Sequence, residues 1–184
     1  TEHPEGRQYK SIRYEKHRKQ SLPTPSGKFE FSSQYLKDLG YSALPVYEQP
    51  YYVRHRSEVY PYLLISGART RVYLHSRYRN ISRVRRLHPR YEVELHPADA
   101  AALGVREGDH VRVSSEIASI ILPVKILGEE KILPDLVQIT HGWEGPGNVN
   151  RLTFDAITDP ISGFPLLTSV PVRLEQADVE GGSA

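Results

Sequence analysis

Between Ser66 and Tyr91 the chain carries eight arginines and two histidines, and no acid appears until Glu92. The run follows a hydrophobic stretch, Tyr62-Leu63-Leu64-Ile65, that ends in Ser66-Gly67. An arginine guanidinium offers rigid, paired donors that fit phosphate oxygens and the edge of guanine, and a glycine at a strand end lets backbone approach such a ligand closely. Two readings of the run stand side by side: an anion site and a solvated basic loop.

A second segment rich in special residues runs from His141 to Asn150, with three glycines, two asparagines and the only tryptophan of the chain, Trp143. Such a loop can present backbone N–H groups to an anion, amides to a heterocycle edge and an indole to stack, and it can also be a long turn between strands. Asp159-Pro160-Ile161-Ser162-Gly163-Phe164-Pro165 reads as a tight loop. Catalytic signals are weak by comparison. Ser162-Gly163 lacks the G-x-S-x-G context, the eight histidines follow no metal-binding spacing, and Gly145-Pro146-Gly147 continues neither a dinucleotide fingerprint nor a P-loop. On residues alone this is a binding domain.

The elements that must position these loops are short and mostly extended. At 184 residues, with 14 prolines and 12 tyrosines, the chain is one domain with or without appendages, loop-rich and β-rich. Its formal charge of +2 makes the basicity a local patch, which favours a defined anionic ligand over general adhesion. Without cysteine there are no disulfides and no thiolate sites. No apolar run reaches membrane-spanning length and no signal-peptide pattern opens the chain, while the first residue, Thr1, predicts a piece of a longer polypeptide.

Thr1 to Gln20 has no apolar period and predicts no structure of its own. Phe29-Glu30-Phe31 predicts a short strand, Ser32-Ser33 a cap for a helix ended by Gly40, and Leu44 to Tyr62 an extended connection. Strands are expected at Tyr62–Ile65, Tyr91–His96, His110–Ser115, Ala118–Leu127, Leu136–Thr140 and Val170–Leu174, with a short helix from Pro97 closed by Gly104. Residues 177–184 read as a flexible tail. Several short strands and few helices suit a small closed barrel better than an open parallel sheet. The division expected is 1–60 as an extended wrapping segment, 61–176 as the barrel domain and 177–184 as the tail.

The order of short motifs resembles a known family. Thr24-Pro25-Ser26-Gly27-Lys28-Phe29-Glu30, Leu64-Ile65-Ser66-Gly67-Ala68-Arg69 with His75-Ser76 and Arg79-Asn80, and His96-Pro97-Ala98-Asp99-Ala100 with Leu103-Gly104 and Gly108-Asp109 come first. His141-Gly142-Trp143, Asn148-Val149-Asn150-Arg151-Leu152-Thr153 and Asp159-Pro160-Ile161-Ser162-Gly163 follow. Together they are similar to the C-terminal molybdopterin-dinucleotide-binding domain of the molybdopterin oxidoreductases of the dimethyl sulfoxide reductase type. The resemblance implies a mainly β fold, a six-stranded double-psi β-barrel with short helices and an extended N-terminal segment. It implies molybdopterin guanine dinucleotide, with molybdenum or tungsten, as the cofactor of the intact enzyme, with none bound by the isolated fragment. The barrel would hold pterin and phosphate groups while other domains of the same polypeptide supply the metal ligand and the catalytic pocket, so the chain alone is not expected to turn over substrate.

By the same resemblance Gly67, Arg69, Thr70, His75, Ser76, Arg79, Asn80, His141, Gly142, Trp143, Asn150 and Phe164 are the expected cofactor contacts, with no catalytic residue and no protein metal site. An iron-sulfur electron-transfer subunit is an implied partner; nucleic acid and direct membrane insertion are not expected. The compartment stays open between cytoplasm and periplasm of a prokaryote. The spelling of the Arg69–Asn80 loop resembles the thiosulfate or polysulfide reductase and acetylene hydratase side of the family. Two departures stand out: Glu116-Ile117-Ala118 replaces a usual hairpin glycine, and Glu144 replaces a second aromatic after Gly142-Trp143. The rival reading is an arginine-rich β-barrel that binds nucleic acid.

Overall fold

A computed structural model describes residues 15–66 and 70–178. The expectations placed on Gly67 and Arg69, on residues before 15 and on residues after 178 lie outside this described part. The chain divides into two compact units, residues 1–48 and 49–184.

In the first unit, helix α1 (Lys16–Lys19) is a single turn where no structure was expected, closed by the Gln20 N–H donating to the Lys16 carbonyl. Helix α2 (Gln34–Asp38) follows the cap expected for it: the Ser33 hydroxyl accepts from the Leu36 N–H at 3.2 Å, and Gly40 takes up a left-handed φ of 85° just past the helix end. The strand expected at Phe29–Phe31 does not form. Among the described residues no second strand lies beside it to pair with, and the two rings pack edge to face instead, 5.1 Å apart. None of the described side chains between 15 and 48 is buried, and Phe31 and Tyr47 are 82% and 88% exposed. Local hydrogen bonds, the Phe29–Phe31 ring contact and the Arg18–Glu15 ion pair shape the described part of this unit.

In the second unit, residues 51–54 are not the extended connection expected but a helical turn, α3 (Tyr51–Arg54), which buries Tyr52 edge to face against Phe154 and stacks Tyr51 on His55 at 3.8 Å. Six strands then follow: β1 (Tyr62–Ile65), β2 (Val93–Leu95), β3 (His110–Ser114), β4 (Ser119–Ile126), β5 (Leu136–Ile139) and β6 (Thr168–Gln176). Helix α4 (Ser82–Arg85) sits in the basic run and α5 (Pro97–Leu103) between β2 and β3. Proline opens α5, the His96 ring caps it by accepting from the Ala98 N–H, and Gly104 ends it, as the sequence predicts.

The strands close into a barrel in the order β1-β5-β2-β4-β3-β6. Two neighbour pairs are parallel, β1 with β5 and β2 with β4, and the others are antiparallel. Replacing each strand by the one three places along the chain reproduces the same ring and exchanges the two parallel pairs. That internal two-fold, with one crossing parallel pair in each half, is the double-psi β-barrel. Closure leaves no strand edge unpaired.

Alternation along the strands fills the interior. Leu64, Val93, Leu95, Val111, Val113, Leu122, Val124, Val137 and Ile139 are all fully buried, with Val149 and Leu152 packed into the same core from the loop after β5. Each such side chain contributes about 1.5–3 kcal/mol of transfer free energy. On the outer surface Gln138, Glu94 and Lys125 lie directly across from one another on β5, β2 and β4. Lys125 donates to Glu94 at 3.0 Å and Gln138 donates to its other oxygen. Burial opposes the Lys125 charge, but the hydrogen bond and the charges of Glu94 and Glu92 outweigh it and hold its pKa above the ordinary lysine value.

The hairpin Glu116-Ile117-Ala118 needs no glycine, because none of the three takes a positive φ; Ser115 and Ala118 close it with an N–H to carbonyl bond of 2.9 Å.

Candidate functional site

The basic run leaves the barrel at the end of β1. There the Ser66 hydroxyl donates to the Leu167 carbonyl and so ties the start of the loop to the approach of β6. The loop is folded back on itself by Tyr73, buried at 6% exposure, whose hydroxyl donates to the His88 carbonyl at 2.6 Å. Its base is turned by the Tyr73 N–H donating to the Thr70 hydroxyl at 3.1 Å. Between these points His75 and Tyr78 adopt left-handed φ values of 56° and 73°. Such angles in residues with side chains store strain of order 1 kcal/mol each and are found where the surroundings over-determine them.

At His75 the second loop supplies those surroundings. Gly142, at φ 88°, lies so close to the first loop that a Cβ there would stand 2.8 Å from the His75 carbonyl carbon and 3.1 Å from the Ser76 nitrogen. His75 Nδ1 and His141 Nε2 share a hydrogen bond of 2.7 Å. Arg79 reaches across as well: one N–H donates to the His141 carbonyl at 3.4 Å, and its guanidinium carbon sits 3.8 Å from the centre of the Trp143 ring and 5.2 Å from that of Tyr73. Trp143 in turn meets Tyr91, His88 and Tyr73, with ring centres between 5.7 and 6.0 Å apart. Gly147 keeps room for this packing, since a Cβ there would come within 2.4 Å of the Tyr91 ring.

Electrostatically the junction offers donors and positive charge. Burial pulls the Arg79 pKa below its ordinary value, the charges of Tyr73 and Glu144 acting the other way; a guanidinium stays charged under such a shift. Burial lowers the His88 pKa too, which favours the neutral ring. Among the described residues, Arg79 Nε, Trp143 Nε1 and His88 Nε2 are buried without a hydrogen-bond partner. Three orphaned nitrogens around one indole are uncommon in a finished structure, where buried polar groups are nearly always paired. Beside them, Thr70, His88, Glu94, Lys125 and Gln138 help line a cavity of about 470 Å³.

Of the contacts expected from sequence, His75, Ser76, Arg79, His141, Gly142 and Trp143 therefore meet at one junction, with Thr70 at the base of the same loop. Asn80 is exposed next to Arg79. Asn150 is exposed and bonds within its own turn, its N–H donating to Asn148 Oδ1 and its carbonyl accepting from the Thr153 hydroxyl. Phe164 is 64% exposed on a turn that Asp159 caps; the N–H and hydroxyl of Ser162 hold the Asp159 carboxyl below the usual carboxylate pKa. Among the described residues, the hydrogen bonds of Asn150 and Phe164 stay within their own turns and do not reach the junction. Tyr73, His88 and Tyr91 belong to it and were not picked out from sequence. The signal available was their interleaving with the arginines, an aromatic or imidazole ring lying within three residues of six of the eight, Arg69 and Arg83 being the exceptions.

Comparison with known proteins places this geometry. A family described as molydopterin dinucleotide binding domain matches residues 62–171, more than half of the chain. A dopamine dehydroxylase from Eggerthella lenta is 31% identical over 150 residues, 74% of this chain and 15% of that protein. The dimethyl sulfoxide reductase DmsA of Escherichia coli (strain K12) is 28% identical over 176 residues, 84% of this chain and 21% of the relative. In structure, an acetylene hydratase from Pelobacter acetylenicus superimposes with a TM-score of 0.69 and 26% identity, covering 85% of this chain and 24% of that one. The chain thus spans about a fifth or less of the length of these curated relatives. The barrel order, the paired loops and the matched residues agree: the chain belongs to the molybdopterin dinucleotide-binding domains of the dimethyl sulfoxide reductase family.

Proposed function

We propose that the junction of the two loops holds a molybdopterin guanine dinucleotide for a molybdenum or tungsten oxidoreductase. The observation that carries this reading is Arg79, fixed over Trp143 at 3.8 Å while it donates to the His141 carbonyl, with a buried Nε still lacking an acceptor. The residues present fit the group: donors and positive charge for pyrophosphate, imidazoles and aromatic edges for a heterocycle, and a backbone at Gly142 that leaves no room for a side chain. When bound, the metal of the cofactor supplies the oxygen-atom, hydroxyl or sulfur chemistry. The chain's own residues bind the cofactor, orient it and exclude water around it.

The assignment of the individual contacts, from Gly67 and Arg69 to Phe164, belongs to this proposal. So does the division into a wrapping segment over 1–60, the barrel over 61–176 and a tail over 177–184. Other domains of one longer polypeptide would provide the metal ligand and substrate pocket, and an iron-sulfur subunit would carry electrons. The nucleic-acid reading gains no support: in the basic run Tyr73 is buried, and Arg79 is engaged by the Trp143 ring.

The test is cofactor content of the full-length enzyme carrying Arg79→Ala or Arg69→Ala, measured as metal and as guanine nucleotide released on denaturation. Both are expected to fall together. Full retention of both in each variant would end the contact assignment.

A further inference from the structure

A second cleft, of about 560 Å³, lies between residues 85–91 and the outward side of β3 and β4. Its described lining does not include His75, Arg79 or His141 and shares with the loop junction only Tyr91 and Trp143. Tyr91 and Trp143 form one apolar side, their rings edge to face at 5.7 Å, and Gly147 pressed under the Tyr91 ring keeps that ring in place. Ile121 and Pro123 form the other side, and His110, paired with Pro123 across the hairpin, stands beside them.

Positive charge surrounds this apolar interior. Arg85 is exposed, and among the described residues no carboxylate pairs with it; Arg90 shares Glu92 at 3.1 Å and is 54% exposed. The charge continues past the cleft along α4 through the exposed Arg83 and Arg86, again without an ion pair among the described residues. A single small anion would satisfy one of these guanidiniums and leave the rest unmatched. A chain of carboxylates would meet them in turn.

We infer that this cleft is a docking groove for an acidic segment of a partner protein, with one aromatic or aliphatic side chain inserted between the Tyr91–Trp143 wall and Ile121–Pro123 and carboxylates laid along Arg85, Arg90 and α4. Charge complementarity selects an acidic partner, and the apolar interior selects a peptide over a simple anion.

Trp143, the only tryptophan, is a built-in reporter for this site. The 184-residue chain is titrated with the acetylated, amidated hexapeptide DEFEDD, followed by indole emission, with KKFKKK and a (dT)6 oligonucleotide as controls. A saturable change is expected for DEFEDD alone, weakened at least tenfold by Arg85→Glu and by raised salt, with circular dichroism of the variant unchanged. No saturable change at millimolar peptide, an equal response to (dT)6, or undiminished binding by folded Arg85→Glu would each overturn the inference. The intact enzyme is then offered the same peptide immobilised through biotin. Arg85-dependent capture supports a partner protein; loss of binding there, with binding kept by the 184-residue chain, would assign the cleft to the enzyme's own polypeptide and overturn the partner.

Discussion

Replacing Gly142 by alanine tests the loop junction directly. The position has φ 88°, where a Cβ meets the following carbonyl and costs about 1–2 kcal/mol. The new Cβ would also stand 2.8 Å from the His75 carbonyl carbon and 3.1 Å from its oxygen, backbone atoms that cannot swing aside like the end of a long side chain. The two loops must therefore part by more than half an ångström, an overpacking of about 1–3 kcal/mol. The 3.4 Å bond from Arg79 to the His141 carbonyl has no slack for such a movement, and the 2.7 Å bond between His75 and His141 lengthens with it. The whole penalty is roughly 2–5 kcal/mol.

Gly104→Ala is the matched control. Its φ is 70° and nothing lies within 4 Å of the added carbon, so only the backbone cost applies, about 1–2 kcal/mol. Urea unfolding followed in parallel by far-ultraviolet circular dichroism, which reads the barrel, and by Trp143 emission, which reads the junction, separates the two effects. Gly142→Ala should be the less stable variant, and its Trp143 transition should run ahead of the barrel transition, because a loop junction opens for less free energy than a closed sheet. If the two alanine variants agreed within about 0.5 kcal/mol, with coincident transitions in both, the loops would not be pressed together in solution and the reasoning would fail.

Further expectations concern the barrel and its surroundings. Leu95→Ala, at a fully buried site on β2, should cost about 2–5 kcal/mol in urea unfolding; a loss under 1 kcal/mol would mean that the barrel interior is not close-packed there. Tyr52→Phe removes a buried hydroxyl that has no hydrogen-bond partner, so stability should hold or rise by up to about 1 kcal/mol, and a clear loss would reveal a hidden partner. His88 has a folded pKa below 6.5 because of burial, so its contribution is present above pH 6.5 and is lost as the pH falls through the folded value. The stability of the wild-type chain should therefore drop more between pH 7.5 and pH 5.5 than that of His88→Gln; equal drops would show that the ring is not held neutral by the fold.

Much of the frame was legible in the sequence because alternation in a strand is a local property. Val111 and Val113, or Val93 and Leu95, must face one side, and that side must be covered, whatever the neighbours are. The same holds for the Pro97–Gly104 helix, whose start and stop signals act within a single turn. Where local and tertiary interests diverged, the reading failed. Phe29–Phe31 has a strand's pattern but no strand to pair with, while Tyr51–Arg54 looks extended and becomes helical because the helical turn buries Tyr52 against Phe154, far away in the chain.

The site divides in the same way. The density of arginine in residues 66–91, and the glycines and lone tryptophan of residues 141–150, are visible as text, so both loops could be named from composition and motif order. Which residues meet is a matter of long-range geometry. His75 and His141 are 66 positions apart, and nothing local announces that they share a hydrogen bond, or that Arg79 is held by Trp143 instead of pointing into water. Sequence by itself thus determined the strands, the loops and the chemical character of the ligand they suit. Only the closed barrel, by bringing the end of β1 beside the end of β5, decided which side chains form the junction, since that adjacency comes from the parallel pairing of strands separated by most of the domain.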